Sequence, residues 1–244
     1  MSPLVKCKGT FAEYIVANAE DMSLKPASLN HVQAASLPYV VCTAWSAIKK
    51  SGGVNEENAK GKRVLVLGAS GGVGTYAVQL LKAWQAEVVA TCSSDSIERI
   101  YGYNADLVLD YKDLNFQKEL RSAGAFDLIL DCAYMKEQDT SVLMQFLKTG
   151  AGARYVTLNG PLLRNNDSLG FPIGFLKSVC DFGSKNVQYQ LDGGKMLTWG
   201  LFQPSRNALR QTAKLVDEQF VSSKLISTLP PISSTSFSSL SFLF

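Results

Sequence analysis

The run Gly68-Ala-Ser-Gly-Gly-Val-Gly lies between the apolar stretch Arg63-Val-Leu-Val-Leu and the amphipathic stretch Thr75-Tyr-Ala-Val-Gln-Leu-Leu-Lys. Residues without a Cβ at a sharp turn let the backbone approach a ligand closely. A helix opening at the same point adds free N–H groups and the positive end of its dipole. The chemistry implied is phosphate binding, and in a strand, turn and helix frame it is the pyrophosphate of a dinucleotide. Against G-x-G-x-x-G, the three glycine positions fall on Ala69, Gly71 and Gly74, with Gly68 and Gly72 as further small residues. A glycine-rich packing turn is the plain alternative.

Which dinucleotide such a loop takes is decided at the end of the next strand. Proteins that use NAD place a carboxylate there for the ribose 2′-hydroxyl, roughly twenty residues past the glycines. In this chain that point reads Thr91-Cys-Ser-Ser-Asp-Ser. Ser93 and Ser94 are neutral donors that can accommodate a 2′-phosphate, which a carboxylate would repel. That pattern favours NADPH. Asp95 comes slightly late for the ribose and reads as a helix cap or first-turn acid. Arg99 and Lys112 stand nearby as charges for the phosphate, although a solvated surface position is the ordinary fate of either type.

A loop of this kind works only on a rigid parallel sheet. Residues 64–67 form an apolar, β-branched run suited to a strand buried on both faces. From there strand and helix alternate: a second strand at 88–92, a helix at 94–103 and a third strand at 106–110. A fourth strand follows at 126–131, a helix at 141–148 and a fifth strand at 154–158. The fold class is therefore α/β, a doubly wound parallel sheet of Rossmann type. Asn104 sits where a helix hands over to a strand, a place that often needs a left-handed residue.

The first sixty residues do not read as the start of that unit. Thr10-Phe-Ala-Glu-Tyr-Ile-Val-Ala alternates like a strand with nothing nearby to pair with. Ser28 or Asn30 can cap a helix that places His31 in its first turn, as an exposed residue rather than a catalytic acid or base. Pro38 interrupts, and a second apolar helix runs from Tyr39 toward Ser51-Gly-Gly.

Composition narrows the function further. The 24 basic and 21 acidic residues, a formal net charge of +3, form no basic tract that would bind nucleic acid or a membrane surface. No apolar run is long enough to span a bilayer. The N-terminal residues lack a signal-peptide core and the Arg-rich character of a transit segment, so taken literally the chain stays in the cytosol. Its five cysteines are scattered, as expected of reduced thiols, and with one histidine and no Cys-x-x-Cys pair a zinc site has no ligands to stand on.

The glycine loop, together with Ala34-Ala-Ser-Leu-Pro-Tyr, Thr43-Ala-Trp-Ser-Ala, Asp110-Tyr-Lys and Tyr155-Val-Thr-Leu, resembles the zinc-free quinone oxidoreductase branch of the medium-chain dehydrogenase/reductases. The resemblance runs from about Gly9 to Asp217. It implies two domains, a GroES-like catalytic β domain built from both chain ends and a central Rossmann domain. On that pattern residues 1–40 are a remnant of the catalytic domain, 41–185 the NADPH-binding Rossmann domain, and 186–226 a partial return to the catalytic domain. Most of the GroES-like part would precede Gly9. The serine-rich, uncharged residues 227–244 read as an aberrant, disordered tail.

Residue by residue, the resemblance places the pyrophosphate on Ser70, Gly71, Gly72 and Val73. Ser93 and Tyr111 fall on the 2′-phosphate side. Leu158, Gly200 and Phe202 fall at the nicotinamide end, with Tyr39 and Thr43 facing the ring as weak polar aids to catalysis. The usual Asp-x-Val-Gly-Gly after the fourth strand is here Asp131-Cys-Ala-Tyr-Met. The resemblance also implies mitochondrial location, a homodimer and a reticulon-type protein partner. The function expected is NADPH-dependent hydride transfer to a quinone or enone, since the hydride chemistry belongs to the cofactor. A cofactor-binding sensor or scaffold without turnover is the second expectation, and a zinc alcohol dehydrogenase is disfavoured by the missing ligands.

Overall fold

Every second residue of strand β1, Arg63–Leu67, faces a different hydrophobic cluster. Val64 and Val66 enter one side of the sheet, Leu65 and Leu67 the other, and all are nearly fully buried. That is the period-two consequence of a strand covered on both faces. The computed structural model describes residues 13–133, 137–150, 152–160 and 162–221. Within them β1 lies at the centre of a parallel sheet with β2 (Glu87–Cys92), β3 (Leu107–Asp110), β4 (Leu128–Asp131), β5 (Arg154–Thr157) and β6 (Met196–Trp199).

The strand order is β3-β2-β1-β4-β5-β6, with every pairing parallel. The order reverses between β1 and β4, and doubly wound sheets bind ligands in the crevice outside the carboxyl ends of the strands at such a switch point. Helices α2 (Leu37–Trp45), α3 (Gly72–Ala83) and α9 (Arg206–Asp217) cover one face. On the other lie α5 (Phe116–Ser122), α6 (Glu137–Leu143) and α8 (Ile173–Leu191). Short helices α1 (His31–Ala35) and α4 (Ile97–Tyr101), with α7 (Leu162–Leu169) beside α8, complete the elements. Among the described residues no helix is long and apolar enough to cross a membrane.

Several local expectations meet their physical cause. Asn30 caps α1 by accepting from the Gln33 amide at 2.8 Å, and the Gln33 side chain accepts from the Asn30 amide at 3.0 Å. His31 is exposed in the first turn of α1. Asn104 takes φ 63°, as a left-handed hand-over residue should. Pro38 does not interrupt a helix: it sits in the first turn of α2, where a missing N–H costs nothing. The helix then continues as a π-helical turn over Ser46–Ser51.

The strand expected at residues 10–17 does not form in its described part. Residues 13–17 join no ladder, and Tyr14 and Val16 are 90% and 100% exposed, because no strand lies beside them to take their hydrogen bonds. Residues 10–12 and the tail at 227–244 lie outside the described residues. Residues 94–103 split into a 3-10 turn, Ser94–Ser96, followed by α4. The sixth strand, α5, α7 and α8 have no counterpart in the sequence reading. Strand β6 falls in the stretch 186–226, and its Leu197 amide, which points away from β5, donates to Asn186 Oδ1 of α8 at 2.8 Å.

Candidate functional site

The glycine loop turns on Gly68, whose φ of 71° is left-handed and whose absent Cβ would lie 3.0–3.1 Å from Ala133. Gly74 closes the turn, since a Cβ there would come within 2.3 Å of the Gly68 carbonyl oxygen. Loop and helix therefore pack backbone on backbone. Thr75 strengthens the turn: its amide donates to Gly71 O and its hydroxyl to Ala69 O, each at 2.8 Å. Thr75 is also the first residue of α3 with an intrahelical acceptor. The amides of Gly72, Val73 and Gly74 are the helix's orphan donors, and Gly71 at the N-cap brings no side chain to satisfy them. An uncapped, glycine-lined helix start of this kind fits a pyrophosphate. Ser70, Gly71, Gly72 and Val73, the residues the resemblance assigns to the pyrophosphate, stand at this helix start.

The residues expected on the 2′-phosphate side come from the ends of β2 and β3. Ser93 leaves β2 as the N-cap of the short 3-10 turn, with Asp95 in that turn's first residues. The Tyr111 amide donates to Cys92 O at 3.2 Å, so Tyr111 follows β3 directly beside Ser93, its side chain half exposed. Lys112 holds its ammonium 5.8 Å from the centre of the Tyr111 ring. Arg99 does not lie free on the surface: its Nη2 donates to Ser70 O at 3.3 Å and to Ser96 Oγ at 3.2 Å. Burial pushes the Cys92 thiol up, Asp110 adds to this, and the Arg99 charge partly offsets it.

The opposite end of the crevice gathers residues distant in sequence. A Cβ on Gly200 would lie 2.7 Å from Leu158 Cδ2 and 2.8 Å from Ala47 Cβ, so the chain after β6 passes tight against the end of β5. The Tyr39 ring stacks on Phe202 with centroids 5.2 Å apart and planes 14° from parallel. Thr43 is buried, and its hydroxyl donates to Tyr39 O at 2.7 Å within α2, which commits its proton to the helix backbone. Val40 links the two ends, its Cγ2 standing 3.4 Å from where a Gly72 Cβ would be.

Beneath the crevice, the fully buried Asp131 at the end of β4 accepts from the Ala133 amide at 3.0 Å and the Thr157 hydroxyl at 3.1 Å. Burial pushes the thiol of its neighbour Cys132 up, and the Asp131 carboxylate adds to this. Asp131 and Thr157 fall in the stretches Asp131-Cys-Ala-Tyr-Met and Tyr155-Val-Thr-Leu, and Arg99 is among the candidate charges for the phosphate, but their mutual contacts are not written in the sequence. Asp131 and Thr157 stand at the ends of apolar strands and Arg99 one turn beyond the serines. Among the described residues no group of three or more His, Cys, Asp or Glu could hold a metal ion.

With this geometry in place, the model of the zinc-binding dehydrogenase family matches residues 72–162. Over 223 residues, 91% of the chain, the sequence is 44% identical to the mitochondrial NAD(P)H oxidoreductase RTN4IP1 of Bos taurus. These matches bear out the resemblance to the medium-chain dehydrogenase/reductases read from the sequence. A second relative, the mitochondrial reticulon-4-interacting protein 1 of Caenorhabditis elegans, is 33% identical over 86% of the chain. The chain spans 56% of the length of each of these two relatives, about half. Among solved structures, the quinone oxidoreductase of Coxiella burnetii superposes with a TM-score of 0.60 over 83% of this chain and 57% of its own, at 21% identity. That likeness speaks for the fold.

Proposed function

We propose that this chain binds NADPH across the crevice and serves hydride transfer to a quinone or another conjugated carbonyl, without zinc. The observation that carries the reading is the uncapped start of α3, with Ser93 and Arg99 rather than a carboxylate-led pair flanking it on the ribose side. The orphan amides of Gly72, Val73 and Gly74 hold the pyrophosphate, and their dipole favours its charge. Ser93 and Tyr111 receive the 2′-phosphate. Leu158 and Gly200 form an apolar floor for the nicotinamide end, and the stacked Tyr39 and Phe202 wall it against water. Bound there, the nicotinamide supplies the hydride, and the protein supplies position and an apolar slot. Tyr39, half exposed at the slot, carries the hydroxyl nearest in role to a proton donor. Thr43, its proton held by Tyr39 O, orients α2 rather than donating.

The relatives' names support the same reading, NAD(P)H oxidoreductase in one and reticulon-4-interacting protein in the other, both mitochondrial. On their strength the proposal includes mitochondrial location and a reticulon-type partner, while the homodimer rests on the sequence resemblance. A sensor or scaffold without turnover is the second reading, favoured by the Thr43 hydroxyl, whose proton is committed to Tyr39 O and so is not offered to a substrate. Titration of NADPH and NADH by fluorescence, followed by NADPH oxidation with a soluble quinone, tests both. The expected result is tighter binding of NADPH and quinone-dependent oxidation. Binding without oxidation would leave the sensor, and a preference for NADH would overturn the assignment of Ser93.

A further inference from the structure

Arg99 differs from the arginines that are held in ion pairs. Arg63 pairs with Glu87, and Arg206 with Glu20. Among the described residues no ion pair engages Arg99, although it is half buried. Its two hydrogen bonds both leave from Nη2, to the neutral oxygens Ser70 O and Ser96 Oγ. The other guanidinium nitrogens make no hydrogen bond among the described residues. The charged groups around it are Asp95 and Glu98 on its own segment, Asp110 at the end of β3, and Lys112 beyond it. Asp110 accepts the Lys112 amide at 2.9 Å, and Asp95 and Glu98 are exposed to solvent.

A guanidinium is a rigid fork of five donors suited to phosphate oxygens. Spending one nitrogen on a backbone carbonyl fixes the plane of the fork and leaves its remaining donors and its charge uncommitted. The carbonyl it holds belongs to Ser70, the first residue of the pyrophosphate loop, while the helix that carries it follows Ser93. Arg99 is thus the residue that touches the loop for one phosphate group and stands at the strand end for the other.

We propose that Arg99 is the specificity-determining cation for the 2′-phosphate, oriented for that task by its bond to the Ser70 carbonyl. The inference rests on the reading of the crevice as an NADPH site. It makes discrimination between the two nicotinamide dinucleotides depend on a side chain outside the serine pair. Charge-assisted hydrogen bonds to a phosphate are among the stronger polar contacts, so the effect on binding should be large and confined to ligands that carry the 2′-phosphate.

The test compares the wild-type chain with Arg99→Leu and Arg99→Lys in fluorescence titrations of NADPH and NADH at two salt concentrations. Arg99→Leu should weaken NADPH by roughly 10- to 100-fold and leave NADH within about twofold. Arg99→Lys should retain part of the preference, and the salt dependence of NADPH binding should be shallower in the leucine variant. Thermal unfolding establishes that each variant folds. Equal loss of NADPH and NADH in a folded leucine variant would show that Arg99 only shapes the loop, and unchanged NADPH affinity would show that it does neither; each overturns the proposal. Wild-type chain that binds neither dinucleotide, or prefers NADH, would instead overturn the cofactor assignment beneath it.

Discussion

The ring of Tyr39, in the first half of α2, lies nearly parallel to that of Phe202 after β6, 5.2 Å away. One residue comes before the sheet in the chain and the other after it, so the contact ties the two ends of the Rossmann unit across the mouth of the crevice. Offset stacking adds about 0.5–1.5 kcal/mol beyond area burial. Tyr39→Ala and Phe202→Ala should each lower the thermal midpoint by a few degrees, about 2–4 °C per kcal/mol in a chain of this size. The double variant should lose less than the sum. In titrations, Phe202→Ala should weaken NADPH while leaving 2′-phospho-ADP-ribose, which lacks the nicotinamide, unchanged.

Gly72 and Gly74 should respond to substitution in opposite ways. Gly72 heads α3, and a side chain there would meet Val40 Cγ2 at an ordinary 3.4 Å. Gly72→Asp should therefore keep or slightly raise stability, as an acid at a helix start does, while abolishing dinucleotide binding by opposing the pyrophosphate charge. Gly74→Ala instead drives a Cβ to 2.3 Å from the Gly68 carbonyl oxygen. It should destabilise the fold by about 1–3 kcal/mol, visible in urea unfolding before any ligand is added.

Acid should loosen the amino ends of β1 and β4. Burial alone would push the Asp127 carboxyl up, but the Lys148 ammonium at 2.8 Å and the Arg63 amide at 2.8 Å outweigh it and hold the group below its ordinary 3.8. A carboxylate depressed on folding contributes stability that is present above its unfolded value and is lost as pH falls through the folded one. Urea midpoints of wild type and Asp127→Asn should thus differ at neutral pH and converge as pH drops through and below 3.8. A gap that stays constant with pH would contradict this role.

The outer edge of β6 depends on one side chain. Asn186 Oδ1 accepts the Leu197 amide, an edge donor with no strand beyond it among the described residues. Asn186→Ala should cost about 1 kcal/mol and raise the hydrogen-exchange rate of the Leu197 amide, leaving that of Thr198 on the inner side little changed.

Much of this was legible in the sequence because its causes are local. Alternation between two faces makes Val64 to Leu67 a doubly buried strand, Asn104 tolerates φ 63°, and the glycines let the chain turn into α3, all within a few residues of one another. The two serines after β2 are equally local, because they stand at a strand end defined by the same pattern. The long helix α8 escaped because Gly174 and Gly183 dilute its helical signal and no side chain caps its start. Strand β6 escaped because it is four residues long.

What the tertiary structure alone decided is which distant groups meet. Tyr39 reaches Phe202 only because α2 and the segment after β6 both pack at the carboxyl end of the sheet. Thr43 surrenders its proton to Tyr39 O because α2 is helical and buried at that point. Arg99 turns from a surface charge into a partner of Ser70 because the parallel order β2-β1 sets α4 beside the glycine loop. A short-range pattern in the chain specifies dihedrals and buried faces, whereas the pairing of side chains across the crevice follows from the register and order of the whole sheet, which no local stretch contains.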